Sequence, residues 1–150
     1  MPERRTLDYD RIDAIMPDVE RLLAGHTMAG RWTLGENLDH LAKSVTLGLR
    51  GRRPDAPEVA PTPEQDAARR AFFEARGIPA GRELPSRLLE PEPGADPHAA
   101  AESLRKAIDR LVAFDGAFPD HPILGPLTRD EWLQFHCIHC AHHLSFAVPA

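Results

Sequence analysis

The segment Thr128–Phe146, TRDEWLQFHCIHCAHHLSF, constrains the fold more than any other, because it sets four histidines and two cysteines in eight positions. Thr128 with Glu131 three residues on is a capping-box pattern, in which hydroxyl and carboxylate satisfy backbone donors that the first turn leaves without partners. A helix therefore starts at this point. At about 100° per residue, Trp132, His136, His139 and His143 fall within roughly 60° of one another, with Cys140 at the edge of the same stripe. Several imidazoles on one face with a Trp are costly to bury unless their nitrogens are satisfied. A metal ion satisfies one nitrogen of each ring and leaves the other to an outer partner. His139 and His143 have the i, i+4 spacing that lets two rings point at one ion, and His136 with Cys140 repeats it a turn earlier. His136 and His143 stand about 10 Å apart along the axis, so this helix is expected to give one ion at most two ligands. Taken singly, each histidine also fits an ordinary surface or half-buried residue. Their clustering favours the metal.

A chain of 150 residues fits a single domain with a real core. The formal charge of −5 and the short, scattered groups Arg4–Arg5, Arg50–Arg53 and Arg69–Arg70 give no basic stripe, which disfavours nucleic-acid binding. No apolar run approaches ~18 residues, and the N-terminus MPERRTLDYD lacks an apolar signal segment. The expectation is a soluble cytoplasmic protein without membrane partners. Cys137 and Cys140 lie inside the expected helix and not after a strand, so a redox CxxC is a poor fit and reduced thiols are expected. With no second CxxC, the chain has no four-cysteine zinc site.

Other helices can be traced upstream. Ile12, Ile15, Met16, Val19, Leu22 and Leu23 recur with helical period up to Gly25, with a kink or break expected at Pro17. Thr33 and Glu36 repeat the capping box, and Leu34, Leu38, Leu41 and Val45 continue a stripe over roughly 34–50. His40 lies on the flank of that stripe, beside Glu36 and Ser44, where a solvent-facing or capping histidine is the alternative to a ligand. Gly51 to Pro63 reads as a connection, and Glu64–Arg76 carries Ala67, Ala68, Ala71 and Phe72 at helical spacing. Gly77 to Asp96 is rich in Gly and Pro and reads as a long loop, with Arg82 and Arg87 as surface charges. Asp96-Pro97 is an N-cap with a first-turn proline, and Ala100, Leu104, Ala107, Ile108, Leu111 and Val112 form one face. Asp120-His121-Pro122 through Gly125-Pro126 is a turn that leads to Thr128. Amphipathic helices with no repeats and no strand pattern predict an all-α protein, a four-helix bundle with a long crossover connection. In such a bundle, a histidine of the second helix can meet the pair on the last one.

Two motifs then carry a family resemblance. Trp32-Thr33-Leu34-Gly35-Glu36-Asn37-Leu38-Asp39-His40-Leu41 is similar to the tryptophan-to-histidine signature of the DinB/YfiT-like superfamily, and His139-x-x-His142-His143-Leu144 to its closing motif. His121-Pro122-Ile123-Leu124-Gly125-Pro126-Leu127-Thr128 with Trp132 resembles one branch of that superfamily, a family of unknown function. The resemblance covers nearly the whole chain. It implies a metal triad of His40, His139 and His143 in a four-helix bundle that is commonly a homodimer.

Three neutral imidazoles leave an open coordination position, as in catalytic sites. Zinc, nickel or iron suits the ligands. Some relatives in that superfamily are S-transferases or isomerases that use a low-molecular-weight thiol, which implies a metal-dependent enzyme activating a thiol, or water in a hydrolase, against a small-molecule substrate. The alternative is a non-catalytic, metal-stabilised bundle acting as a binding or stress-related protein. His136, Glu36 and His121 are candidates for the outer or substrate side, with Glu36 also fitting a solvated carboxylate and His121 a structural turn. Cys137 and Cys140 are read as packing residues.

Overall fold

The structure, a computed structural model, describes residues 3–51, 55, 59–78 and 87–150. The described residues are mostly helical, with five α-helices and one two-stranded sheet. A short 3₁₀ turn, Ile12–Ala14, leads into α1, Ile15–Ala24. Pro17 does not open this helix but sits in its first turn, where a missing N–H costs nothing. The further helices are α2, Leu34–Gly48, α3, Pro63–Ala75, α4, Pro97–Ala113, and α5, Arg129–Leu144. Capping boxes at Thr33/Glu36 and Thr128/Glu131 start α2 and α5 as the sequence predicts. A third box, Thr62 with Gln65, starts α3 one residue earlier than the apolar spacing suggests. Asp96 caps α4 by accepting from Ala99 N at 2.8 Å.

The expectation of no strands is corrected. His26–Met28, β1, pairs antiparallel with Ala147–Pro149, β2, in the register His26 to Pro149, Thr27 to Val148 and Met28 to Ala147. Strands this short show no alternation a sequence reading can find. The pair ties the segment entering α2 to the segment leaving α5, and so closes the end of the fold where the candidate ligands lie.

The core is drawn from α1, α2, α4 and α5. Ile15, Val19 and Leu22 meet Leu34, Leu38, Leu41 and Val45, with Leu104, Leu111 and Leu144, all fully buried or nearly so. Each such aliphatic side chain contributes about 1.5–3 kcal/mol by leaving water. α3 adds no buried residue, so its alanine spacing marks a surface helix. α2 and α4 pack closely at their N-terminal ends. A Cβ at Gly35 would stand 1.9 Å from the Ala95 carbonyl oxygen, so only glycine admits that approach.

Beneath the N-terminal segment, Asp18 accepts two hydrogen bonds from Arg5, at 3.0 and 2.9 Å, and one from the Tyr9 hydroxyl. Arg5 also donates to the Leu144 carbonyl, at 2.9 Å, which fastens residues before α1 to the end of α5. No helix among the described residues is long and apolar enough to cross a membrane. Arg82 lies outside the described residues, as do parts of both expected connections; Arg87 is exposed, within a 3₁₀ turn of residues 87–89.

Candidate metal centre

Two capped helices bring the candidate ligands together. His40 stands on α2 shortly after its capping box, and His139 and His143 occupy the last turns of α5. One ligand atom from each of the three lies within 4.8 Å of the others, so the three histidines could hold a metal ion. His40 Nε2 and His139 Nε2 face each other at 3.2 Å. Two imidazole nitrogens on one tetrahedral zinc, at about 2.05 Å from it, stand roughly 3.3 Å apart. The observed separation matches that spacing.

The outer nitrogens decide the tautomers. His40 Nδ1 lies 2.7 Å from the Leu89 carbonyl oxygen. A carbonyl only accepts, so Nδ1 carries the proton and the Nε2 lone pair points inward. Asn37 Nδ2 donates to the Thr33 carbonyl at 3.0 Å, which turns its Oδ1 toward His143 Nδ1 at 3.3 Å. The same reasoning puts the proton of His143 on Nδ1. His139 Nδ1 has the Ser44 hydroxyl at 3.3 Å. An oxygen beside each Nδ1, with the other nitrogen free to coordinate, is the arrangement that orients metal-ligating histidines. The residues fit a divalent ion.

Electrostatics agree with neutral ligands. Burial pushes His139 well below the usual histidine range, helped by the neighbouring rings of His143 and His40. His143 is pushed down to about 2, chiefly by burial and then by His40. His40 is also lowered by burial, against the opposing hydrogen bond to Leu89. Unprotonated imidazoles at neutral pH are the form that coordinates.

Trp32 closes the outer side. Its ring stacks on His143 with centroids 5.7 Å apart and planes 11° from parallel, and tilts over His40 at 5.2 Å. On the inner side the Phe135 ring stacks on His139 at 5.7 Å. The triad thus lies between two aromatic rings, one exposed and one half-buried.

The other candidates fall elsewhere. His136 is buried a turn earlier, stacked on Trp132 at 5.8 Å, and its Nδ1 and Trp132 Nε1 have no hydrogen-bond partner among the described residues. It is not grouped with the triad, as the axial spacing predicts. Glu36 has one oxygen on Thr33 N and the other on Gly94 N, so its carboxylate serves the cap and a loop. His121 Nδ1 accepts from the amides of Ile123 and Leu124, both at 3.1 Å, and its ring packs on Phe135 at 4.9 Å. That is a turn-forming role. Cys137 and Cys140 are free and buried, and burial pushes the Cys137 thiol up to about 11. His142 lies beside the triad, with Nδ1 accepting from Arg4 Nη2 at 2.8 Å.

Asn37, Ser44, Leu89 and Trp32 were not singled out as parts of the site by sequence reasoning. Asn37 and Ser44 stand three before and four after His40 on α2, a spacing that could have suggested them. Nothing in the identity of Leu89 signals the use of its backbone carbonyl.

The fold and the site together define a mostly helical protein in which three histidines could hold a metal. The chain belongs to a family described as protein of unknown function (DUF1569), whose model matches residues 1–150. No curated protein and no solved structure matches the chain.

Proposed function

We propose that this chain is a metal-dependent enzyme of DinB/YfiT-like type, in which His40, His139 and His143 bind one divalent ion, zinc, nickel or iron. One observation carries the reading. Three buried or half-buried imidazoles group closely, while Leu89 O and Asn37 Oδ1 hold the Nδ1 protons of His40 and His143 on the outside. With Nδ1 protonated, His40 and His143 each keep an unprotonated Nε2, the form that a bound ion takes up. The core drawn from α1, α2, α4 and α5, with α3 outside it, supports the four-helix-bundle part of the proposal.

Three nitrogen ligands leave a position for a further ligand. An ion bound there supplies a lowered pKa to a coordinated low-molecular-weight thiol or water, giving a nucleophile near neutral pH. The residues of the chain do the rest. Burial keeps the imidazoles unprotonated, Asn37 and the Leu89 carbonyl fix their orientation, and Trp32 limits water on the outer side.

Turnover tests this reading. Protein loaded with zinc, nickel or iron is offered small electrophiles and esters, with and without low-molecular-weight thiols. Thiol-dependent turnover that is lost in His139→Ala supports the S-transferase form. Turnover without thiol supports the hydrolase form. Bound metal with neither activity across the screen would move the proposal to a non-catalytic, metal-stabilised bundle. The proposal includes the homodimer implied by the resemblance, which analytical ultracentrifugation checks.

A further inference from the structure

Residues Glu36, Asp39, His40 and Lys43 recur at i, i+3, i+4 and i+7, which sets them on one stripe of α2. Every one of them meets the segment 87–94. His40 Nδ1 donates to Leu89 O at 2.7 Å, and Lys43 Nζ to Glu90 O at 2.8 Å. In the other direction, Glu92 N donates to Asp39 Oδ2 at 2.8 Å and Gly94 N to Glu36 Oε2 at 3.2 Å. Lys43 and Asp39 also pair with each other at 2.9 Å. The stripe therefore holds four successive points of a strap.

Among the described residues, the strap has little else to hold it. None of residues 87–94 is buried, and Leu88 is exposed. Its own order comes from two local turns, Glu90 N to Arg87 O at 3.2 Å and Ala95 N to Glu92 O at 3.1 Å. Apolar burial does not fix its position, so the polar contacts with α2 must do so. One of those contacts fixes the tautomer of a candidate metal ligand.

We propose that the strap 87–94 is a working part of the metal centre, and that Lys43 and Asp39 are positioning residues that hold the Leu89 carbonyl on His40. This inference rests on the metal reading above. Outer partners of a ligating histidine typically change metal affinity by about 10–100-fold when removed. Lys43 acts on such a partner through the strap, so the lower end applies. Linkage is reciprocal: whatever the strap adds to metal binding, metal binding adds to the strap.

The sign of the Lys43 effect separates positioning from plain charge. A cation near a bound divalent ion opposes binding, so removing it should tighten binding if charge alone acts. Positioning gives the opposite sign. The full-length protein is titrated with zinc against a chromophoric chelator, alongside Lys43→Met, Lys43→Arg and Asp39→Asn, with far-UV circular dichroism to confirm the fold. Amide exchange at Glu92 and Gly94 is followed with and without zinc.

The expected result is about tenfold weaker zinc binding in Lys43→Met, recovery toward wild type in Lys43→Arg, and slower exchange at both amides when zinc is bound. Asp39→Asn keeps an acceptor for Glu92 N and should lose less affinity than Lys43→Met. Zinc bound by the wild type with equal or tighter binding in Lys43→Met, or with unchanged amide exchange, overturns this inference and leaves the metal reading standing. Wild-type protein that binds none of zinc, nickel and iron overturns both.

Discussion

Replacing Gly35 by alanine tests whether the close contact of α2 with the start of α4 is real. The added Cβ would lie 1.9 Å from the Ala95 carbonyl oxygen, whereas real Cβ atoms do not approach within 3.0 Å, so one backbone must retreat by about 1.1 Å. The obstacle is backbone and not the end of a flexible side chain. It also adjoins Asp96, which caps α4. Overpacking of this kind costs about 1–3 kcal/mol, and a disturbed N-cap adds about 1 kcal/mol. Alanine returns at most about 1 kcal/mol through helix propensity and a less flexible unfolded chain. With that return complete, the net expectation for Gly35→Ala is a loss of about 1–3 kcal/mol. At roughly 2–4 °C per kcal/mol for a chain of this size, Tm should fall by about 2–12 °C in calorimetry, with a parallel drop in the urea midpoint. A variant as stable as wild type, or more stable, would refute the reasoning, because propensity alone would then govern the site.

Three further outcomes are expected. Burial pushes the Asp18 carboxyl up, but hydrogen bonds from Arg5 and Tyr9 and the Arg5 charge outweigh it and hold it below the usual range. Its stabilising contribution is therefore complete above the unfolded value of about 3.9 and is lost as pH falls through the lower folded value. Asp18→Asn, which leaves the Arg5 guanidinium with the Leu144 carbonyl but without its carboxylate, should cost about 3 kcal/mol at pH 7, and denaturation curves at falling pH should bring variant and wild type together; a gap independent of pH contradicts the assignment. Asn37→Leu removes the acceptor on His143 Nδ1 and should weaken zinc binding about 10–100-fold, as read by chelator competition, with equal affinity in wild type and variant as the contrary result. His136→Phe should leave metal stoichiometry unchanged, since His136 is not grouped with the triad; loss of metal on elemental analysis would show that the ligand set is misassigned.

The helices were legible because their signals are local. Thr33 with Glu36, Thr128 with Glu131 and Asp96 before Pro97 each fix a helix start within a few residues, and leucines at helical spacing mark the buried faces. The strands were not legible, since three residues pairing across the fold leave no period to read. In α3, helical spacing of Ala67, Ala68, Ala71 and Phe72 marks the helix but not its depth, for none of its residues is buried.

The site divides in the same way. His139 and His143 follow from i, i+4 spacing on one helix. His40 lies on the flank of its helix, and its Nδ1 partner comes from the strap, a contact made across the fold by a Pro- and Gly-rich segment without periodicity. The family resemblance pointed to His40 where spacing left it open. The outer partners were hidden because the most decisive of them, the Leu89 carbonyl, is a group every residue has. Asn37 was readable in principle, since it precedes His40 by one turn within the same motif.

The most direct test of the account is the metal content of the full chain, purified without a histidine tag and measured by elemental analysis beside His40→Ala and His143→Ala. The account predicts about one divalent ion per chain in the wild type, and little or none in either variant once circular dichroism shows that both are folded. Wild-type protein that takes up no zinc, nickel or iron on reconstitution, or variants that keep a full complement, would contradict it.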